Sequence, residues 1–298
     1  MRSTQRRTAL SKTLLAALGL ALAASTAACG SGGGDHADVD VKADSGLTGA
    51  AKALADKGTI KIGVKYDQPG ISNKEPGSDA PVGFDDEMGR IIAAHLGIPD
   101  DKIKWIETVS DNRESFLKQG TVDLVIASYS ITDERRQVVG QAGPYYVTGQ
   151  QLLVREDDKG KITGPDDLKN TKTCSVEGST SLARVEDDYG AKPVPFSTYS
   201  QCVDQLKNNT VDAVTTDGAI LLGYAAQAPD ELEVVGEPFS EERYGIGYKK
   251  DAPGMCEFLN SAVQASFKDG TWEQAFKSTL GQSGVKTPEK PQLDSCSA

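Results

Sequence analysis

One nine-residue phrase occurs twice in this chain. Leu117-Lys-Gln-Gly-Thr-Val-Asp123-Leu-Val125 returns as Leu206-Lys-Asn-Asn-Thr-Val-Asp212-Ala-Val214. In each copy a helix end passes through a Gly or Asn turn into an apolar run short enough to be a buried strand. After the first copy come Ser128 and Ser130; after the second come Thr215, Thr216 and Asp217. Around these anchors strand patterns alternate with helix patterns. Strands are expected over 59–64, 103–107, 121–126, 151–154, 173–176, 194–196, 232–235 and 244–248. Helices are expected over 85–96, 110–119, 199–207, 218–226, 254–267 and 272–280, with another running from the 179–181 turn through Asp188. Such alternation predicts an α/β fold whose sheets are mainly parallel and flanked by helices. The duplication predicts two lobes of like construction, each offering polar groups at the C-terminal ends of its strands, where open α/β sheets bind ligands.

Residues 127–136, Ala-Ser-Tyr-Ser-Ile-Thr-Asp-Glu-Arg-Arg, collect anion-binding groups around one such end. In extended chain Ser128 and Ser130 leave the strand on the same side, because side chains alternate with period two. Thr132 reads as an N-cap, with Asp133 and Glu134 in the favourable first turn. Arg135 is thereby delivered beside two hydroxyls, a donor set suited to a carboxylate. In the second half, Glu177-Gly178-Ser179-Thr180-Ser181 follows a strand and opens a helix, so its free amides and hydroxyls also suit an anion. Simple N-capping by Ser179 explains the same residues.

The acidic balance, net −11, becomes more so once Arg2, Arg6, Arg7 and Lys12 are set aside, since residues 1–28 hold no acid. That argues against nucleic acid as a partner. Those bases, the apolar stretch 14–24 and Ala27-Ala28 before Cys29 form an export signal. Thr26-Ala27-Ala28-Cys29-Gly30 resembles a bacterial lipobox, which implies lipid on Cys29; Thr26 stands where Leu is usual. Residues 29–46, rich in Gly, Ser and Asp, read as a flexible tether. Asp38, Asp40 and Asp44 lack the closing Glu of a calcium loop and Lys42 interrupts them, so no metal site is expected there. Cys174, Cys202, Cys256 and Cys296 remain, an even number in an oxidising compartment. Three pairings are possible. Cys174–Cys202 with Cys256–Cys296 is favoured because each pair then lies within one expected lobe; the spacings do not fit a zinc knuckle.

Several motifs together resemble family 3 solute-binding proteins, the receptors of polar amino-acid ABC importers. Gly83-Phe84-Asp85-Asp86-Glu87-Met88 is similar to the family signature, with Asp86 in a usually apolar place. Ser128-Tyr129-Ser130-Ile131-Thr132-Asp133-Glu134-Arg135 resembles its Ser-x-Ser-Ile-Thr-x-x-Arg segment. Gly178-Ser179-Thr180 resembles its second-lobe Gly-Thr-Thr turn, and Asp217 falls where the family places an ammonium-binding Asp. Lys65-Tyr66-Asp67-Gln68-Pro69-Gly70, Ser200-Gln201-Cys202 and the lipobox are further similar to actinobacterial glutamate-binding lipoproteins.

The resemblance implies a two-lobed, type II periplasmic-binding-protein-like fold: lobe 1 over 47–147 and 242–298, lobe 2 over 148–241, joined by extended crossings near 146–150 and 239–244. It implies that Arg135 pairs with a ligand α-carboxylate, helped by Ser128, Ser130, Gly178, Ser179 and Thr180, and that Asp217 accepts from the α-ammonium. Lys65 and Arg113, on segments the family aims at the cleft, are the candidates for a second ligand carboxylate. Glutamate is then expected first and aspartate next, then glutamine and asparagine, with lysine and arginine last. The expected protein is a monomer without cofactor, held by its lipid to the outer face of the cell membrane and docking on permease subunits. Two rival readings stand beside it. A sensor subunit signalling to a membrane kinase needs the same lobes. An enzyme, dehydratase-like or peptidoglycan-active, is disfavoured because His36 lies in the tether, His95 lies on a helix, and Asp85–Asp86 read as capping groups.

Overall fold

The computed structural model describes residues 36–37 and 39–296. Two five-stranded sheets organise these residues. In the first, Ile60–Val64 is flanked by parallel Ile103–Glu107 and Leu124–Val125; beyond the latter come Glu242–Tyr248 and Gly140–Thr148. In the second, Thr173–Val176 is flanked by parallel Val194–Phe196 and Ala213–Asp217, followed by Gln150–Arg155 and Leu232–Val235. Each sheet thus has the same order, and in each only the fourth strand runs against the rest. Those reversed strands, Gln150–Arg155 and Glu242–Tyr248, are the ones that arrive from the other sheet. Short links at 149 and 236–241 join the halves, and Ser240 Oγ accepts from the Gln150 amide at 3.0 Å.

Helix Phe84–His95 covers the first sheet and is buried from Phe84 through Ala94. Phe84 sits edge-on to Tyr146, Trp272 and Phe276, with ring centroids 5.6–5.8 Å apart. That anchor fixes where the helix begins, and so where Asp85 points. A helix buried all round needs cover on its outer side, and residues 36–37 and 39–46 supply it. Lys42 N–H donates to Ala94 O at 3.1 Å, Asp44 N–H to His95 O at 2.9 Å, and Ala37 N–H to Glu87 Oε2 at 3.0 Å. His36 bonds the buried Glu87 carboxylate at 2.7 Å. Composition alone predicted a free tether through residue 46; its described part is instead docked. Cys29, the lipobox and the export signal lie outside the described residues.

Several elements carried no expectation, among them the short hairpin of Asp67–Gln68 with Ser72–Asn73. Gly49–Lys57 is a helix, and Gly140–Thr148 is a long strand. The latter reads as mixed polar and aromatic chain because its partner, Glu242–Tyr248, is far away in sequence, in the register Glu242↔Thr148 to Tyr248↔Gly140. Conversely, the strand expected over 121–126 keeps ladder pairing only at Leu124–Val125.

The disulfides are Cys174–Cys202 and Cys256–Cys296, the favoured pairing. The first ties helix Tyr199–Lys207 to strand Thr173–Val176 of the second sheet. The second holds the C-terminal tail beside the linking strand, where Asp294 pairs with Arg136 at 2.5 Å and with Arg243. Replacing Cys174 and Cys202 together by Ser opens a 28-residue span and should cost about 3–4 kcal/mol of stability. A lower guanidinium midpoint for the double variant is expected; an unchanged midpoint means packing alone holds the helix.

Candidate functional site

On the first sheet the site begins where Leu124–Val125 ends. The chain does not continue extended: Ser128 has φ 42°, in the left-handed region. For a residue with a Cβ this costs about 1–3 kcal/mol unless its surroundings enforce it. Asp85 enforces it. Its Oδ2 accepts the Ser128 amide at 2.6 Å and its Oδ1 accepts the Tyr145 hydroxyl at 2.6 Å. Burial pushes the Asp85 pKa up to about 6, against the pull of those two bonds. Asp85 and Asp86 are therefore not the helix caps that their position predicted. Neither caps Phe84–His95, and Asp86 instead accepts from Ser72 Oγ at 2.8 Å. Ser128 and Ser130 do share a cavity, but through this turn and not through strand alternation.

Thr132 caps its helix as read, accepting the Arg135 amide at 3.2 Å. The Arg135 guanidinium donates to Ser130 O at 2.7 Å and to Gly178 O at 3.0 Å, and its Nε lies 3.2 Å from Glu114. Arg113 is 2% exposed. Its donors reach Ser110 O (3.1 Å), Ala127 O and Ser128 O (both 3.2 Å) and Gly178 O (3.0 Å). Both guanidinium carbons stand close to the Tyr129 ring centroid, at 4.5 and 4.9 Å. Burial, then the neighbouring Arg135, press the Arg113 pKa down to about 10, so it stays charged at neutral pH. Lys65 is also buried; its Nζ donates to Ser110 Oγ at 2.8 Å. Burial and the two arginines hold its pKa well below the usual lysine range.

From the second sheet, Gly178 meets both arginines with its carbonyl. Its φ is 71°, and a Cβ there would lie 2.7 Å from Asp111 Cα, so the turn and the close approach both require glycine. Ser179 caps helix Thr180–Asp187, accepting the Leu182 amide at 3.0 Å, and also borders the cavity. The Thr180 hydroxyl donates to Glu242 Oε2 at 2.9 Å, which leaves it only lone pairs to offer inward. That differs from the carboxylate-assisting role expected for its side chain. Asp217 ends strand Ala213–Asp217. Its Oδ2 accepts the Tyr244 hydroxyl at 2.6 Å, while its Oδ1 is buried without a partner. Burial and then the Glu242 charge push its pKa up to about 7, against the Tyr244 bond and the arginines.

These groups line one cavity of about 10 Å³, bounded by Ser110, Arg113, Ser128, Ser130 and Arg135 from the first lobe. Ser179, Thr180, Ser181, Tyr199, Thr216, Asp217 and Ile220 bound it from the second. Of the expected ligand residues, Lys65 and Gly178 do not line it; they act through Ser110 and through the carbonyl bridge. Among the residues missed, Ser110 and Tyr199 lie just beyond the C-terminal ends of strands, so the positional rule that marked Thr216 could have found them. Ser181 stood within the 177–181 turn read as suited to an anion, whereas Ile220, in the first turn of a helix, carries no such signal.

The sequence pattern described as bacterial extracellular solute-binding proteins, family 3, matches residues 60–282. The chain belongs to that family. It is 38% identical to the glutamate-binding protein GluB of Corynebacterium glutamicum over 80% of this chain and 83% of that one. It is 32% identical to the ABC transporter glutamine-binding protein GlnH of Bacillus subtilis, over 84% and 90%. Among solved structures, an ancestral arginine-binding protein bound to arginine superposes with a TM-score of 0.69 at 33% identity, covering 74% of this chain and 98% of that one. The type II two-lobed fold expected from the motifs is thus shown.

Because the Asp217 pKa is raised from 3.8 to about 7, ionised Asp217 disfavours folding. Below about pH 4 the carboxyl is protonated whether the chain is folded or unfolded, and stability is lost as pH rises from there through 7. Asp217→Asn should therefore raise the melting temperature at pH 8, with the gain shrinking toward pH 4. A gain independent of pH would show that the carboxylate is not the source.

Proposed function

We propose that this protein is an extracytoplasmic receptor that closes on glutamate, or next on aspartate, and presents it to an ABC importer. The observation that carries the reading is the charge set in one cavity. Two guanidinium groups converge on a single neutral acceptor, Gly178 O, and Asp217 contributes a buried carboxylate oxygen with no partner. Two cations and one anion complement a ligand with two carboxylates and one ammonium. A neutral side chain leaves one guanidinium desolvated without an anion, and a basic one adds repulsion. The relatives named for glutamate and glutamine, and the arginine-bound ancestral protein, are receptors for different amino acids; the preference for an acidic ligand rests on the charges of this cavity.

In this reading Arg135 and the Ser128–Ser130 turn hold the α-carboxylate, Asp217 takes the ammonium with the Thr180 oxygen beside it, and Arg113 takes the side-chain carboxylate. Lys65 holds the Ser110 hydroxyl at the cavity wall. A cavity of about 10 Å³ holds roughly one water, so entry requires the lobes, 47–147 with 242–298 against 148–241, to part about their links. The ligand carboxylates then replace Gly178 O at the arginines. The work is binding, not catalysis. Attachment to the membrane follows from lipid on Cys29.

Titration calorimetry with glutamate, aspartate, glutamine and arginine tests the ranking. Loss of a charge-assisted bond costs roughly 1.5–3 kcal/mol, so Arg113→Ala should weaken glutamate binding by about tenfold to a hundredfold and glutamine binding far less. Equal losses would overturn the assignment of Arg113. Since an ammonium needs ionised Asp217, glutamate affinity should fall as pH drops below 7, by up to about tenfold per unit. In Asp217→Asn that slope should vanish along with most of the affinity.

A further inference from the structure

The loop after strand Ile60–Val64 leaves the first sheet and ends on two helices of the second lobe. Helix Tyr199–Lys207 starts with amides that need acceptors. Its own capping box satisfies two donors: Thr198 Oγ1 accepts from the Gln201 amide at 3.4 Å, and Gln201 Oε1 accepts from the Thr198 amide at 3.2 Å. The two between them, Tyr199 and Ser200, donate across the lobe boundary to Asp67 Oδ2, at 2.8 and 3.1 Å. From the second helix, Gly218–Gln227, the Tyr224 hydroxyl donates to the Asp67 carbonyl. Beside it, contact becomes backbone against backbone: a Cβ on Gly223 would lie 2.1 Å from Pro69 O.

None of Asp67, Pro69, Gly223 or Tyr224 lines the cavity. Yet both helices enter it, one through Tyr199 and the other through Asp217 at its start and Ile220. The Cys174–Cys202 bond fixes the first of them to its sheet, so a pull on its N-terminus acts on the whole lobe. We propose that the Asp67–Pro69 loop is a latch: by capping a helix of the opposite lobe it sets how long the receptor holds its ligand, without helping to choose that ligand. The inference rests on the proposed receptor function, in that the lobes must part to admit an amino acid. When they do, water replaces Asp67 at the two amides, and Gly223 loses its neighbour.

The variants Asp67→Ala, Asp67→Asn and Gly223→Ala test it on the full chain. Dissociation rates for glutamate and aspartate are measured, with small-angle scattering before and after each addition. Asp67→Ala and Gly223→Ala should each speed dissociation of both amino acids by the same factor, roughly tenfold or more. Asp67→Asn, which keeps an oxygen acceptor, should recover part of the loss. Alanine is favoured over glycine inside a helix, so Gly223→Ala without amino acid should melt no lower than the parent while scattering as a wider particle. Rates within about twofold of the parent for both variants would overturn the latch. A changed glutamate-to-aspartate ratio would also overturn it, by placing Asp67 in ligand selection. If the parent protein binds neither amino acid, the receptor reading fails, and the scattering of the parent against Gly223→Ala decides the latch alone: identical curves overturn it.

Discussion

A guanidinium that is shut away from water must find an acceptor on every edge. Arg113 does so with carbonyls from three separate segments, those of Ser110, Ala127 with Ser128, and Gly178. Because carbonyl oxygens are fixed by backbone, this one side chain sets the relative position of a helix start, a strand exit and a turn from the opposite lobe. Leaving such a cation unpaired inside the protein costs several kcal/mol. The close approach of the Gly178 carbonyl is one arrangement that meets this requirement.

The rest of the site is held in electrostatic tension. Asp85 commits both oxygens to structure, one keeping Ser128 in its left-handed conformation and one on Tyr145. Asp217 commits only one, to Tyr244, and sits close enough to Glu242 that their charges oppose. A site arranged this way is not optimised for the stability of the protein alone, since an unpaired carboxylate and two crowded arginines all disfavour folding. Such unsatisfied groups are what a ligand of opposite charge pattern can satisfy.

Duplicated construction explains how one chain brings these groups together. Each sheet takes its one reversed strand from the link to the other, so the C-terminal ends of the parallel strands in both lobes open on the same cleft. Asp217 and the Ser128–Ser130 turn occupy comparable places on facing halves, each at the C-terminal end of the middle strand of its sheet, while Arg113 follows an edge strand. The docking of Asp67 on Tyr199–Lys207 uses the same opposition farther from the links.

What the sequence by itself determined is the part written in short-range pattern. Alternating periods named the fold class and most elements; the repeated phrase named two like halves. Thr132 and Ser179 were legible as caps, because a cap is decided within a few residues. The disulfide pairing followed from lobe membership, and the ordered motifs pointed to Arg135 and Asp217. What only the tertiary structure decided depends on partners far apart in the chain. The period-two argument could not foresee the Ser128 turn, since Asp85 enforces it from 43 residues away. Asp85 and Asp86 looked like caps until burial gave them other donors. Residues 39–46 had too few apolar side chains to look ordered, yet the flank of a buried helix offered the Lys42 and Asp44 amides backbone acceptors. Lys65 was expected in the cavity itself; it lies behind Ser110, which its ammonium contacts, because burial of the strand end seats it there. Local propensity acts through a few neighbouring dihedrals, whereas satisfying buried charges and amides is settled only when distant segments meet.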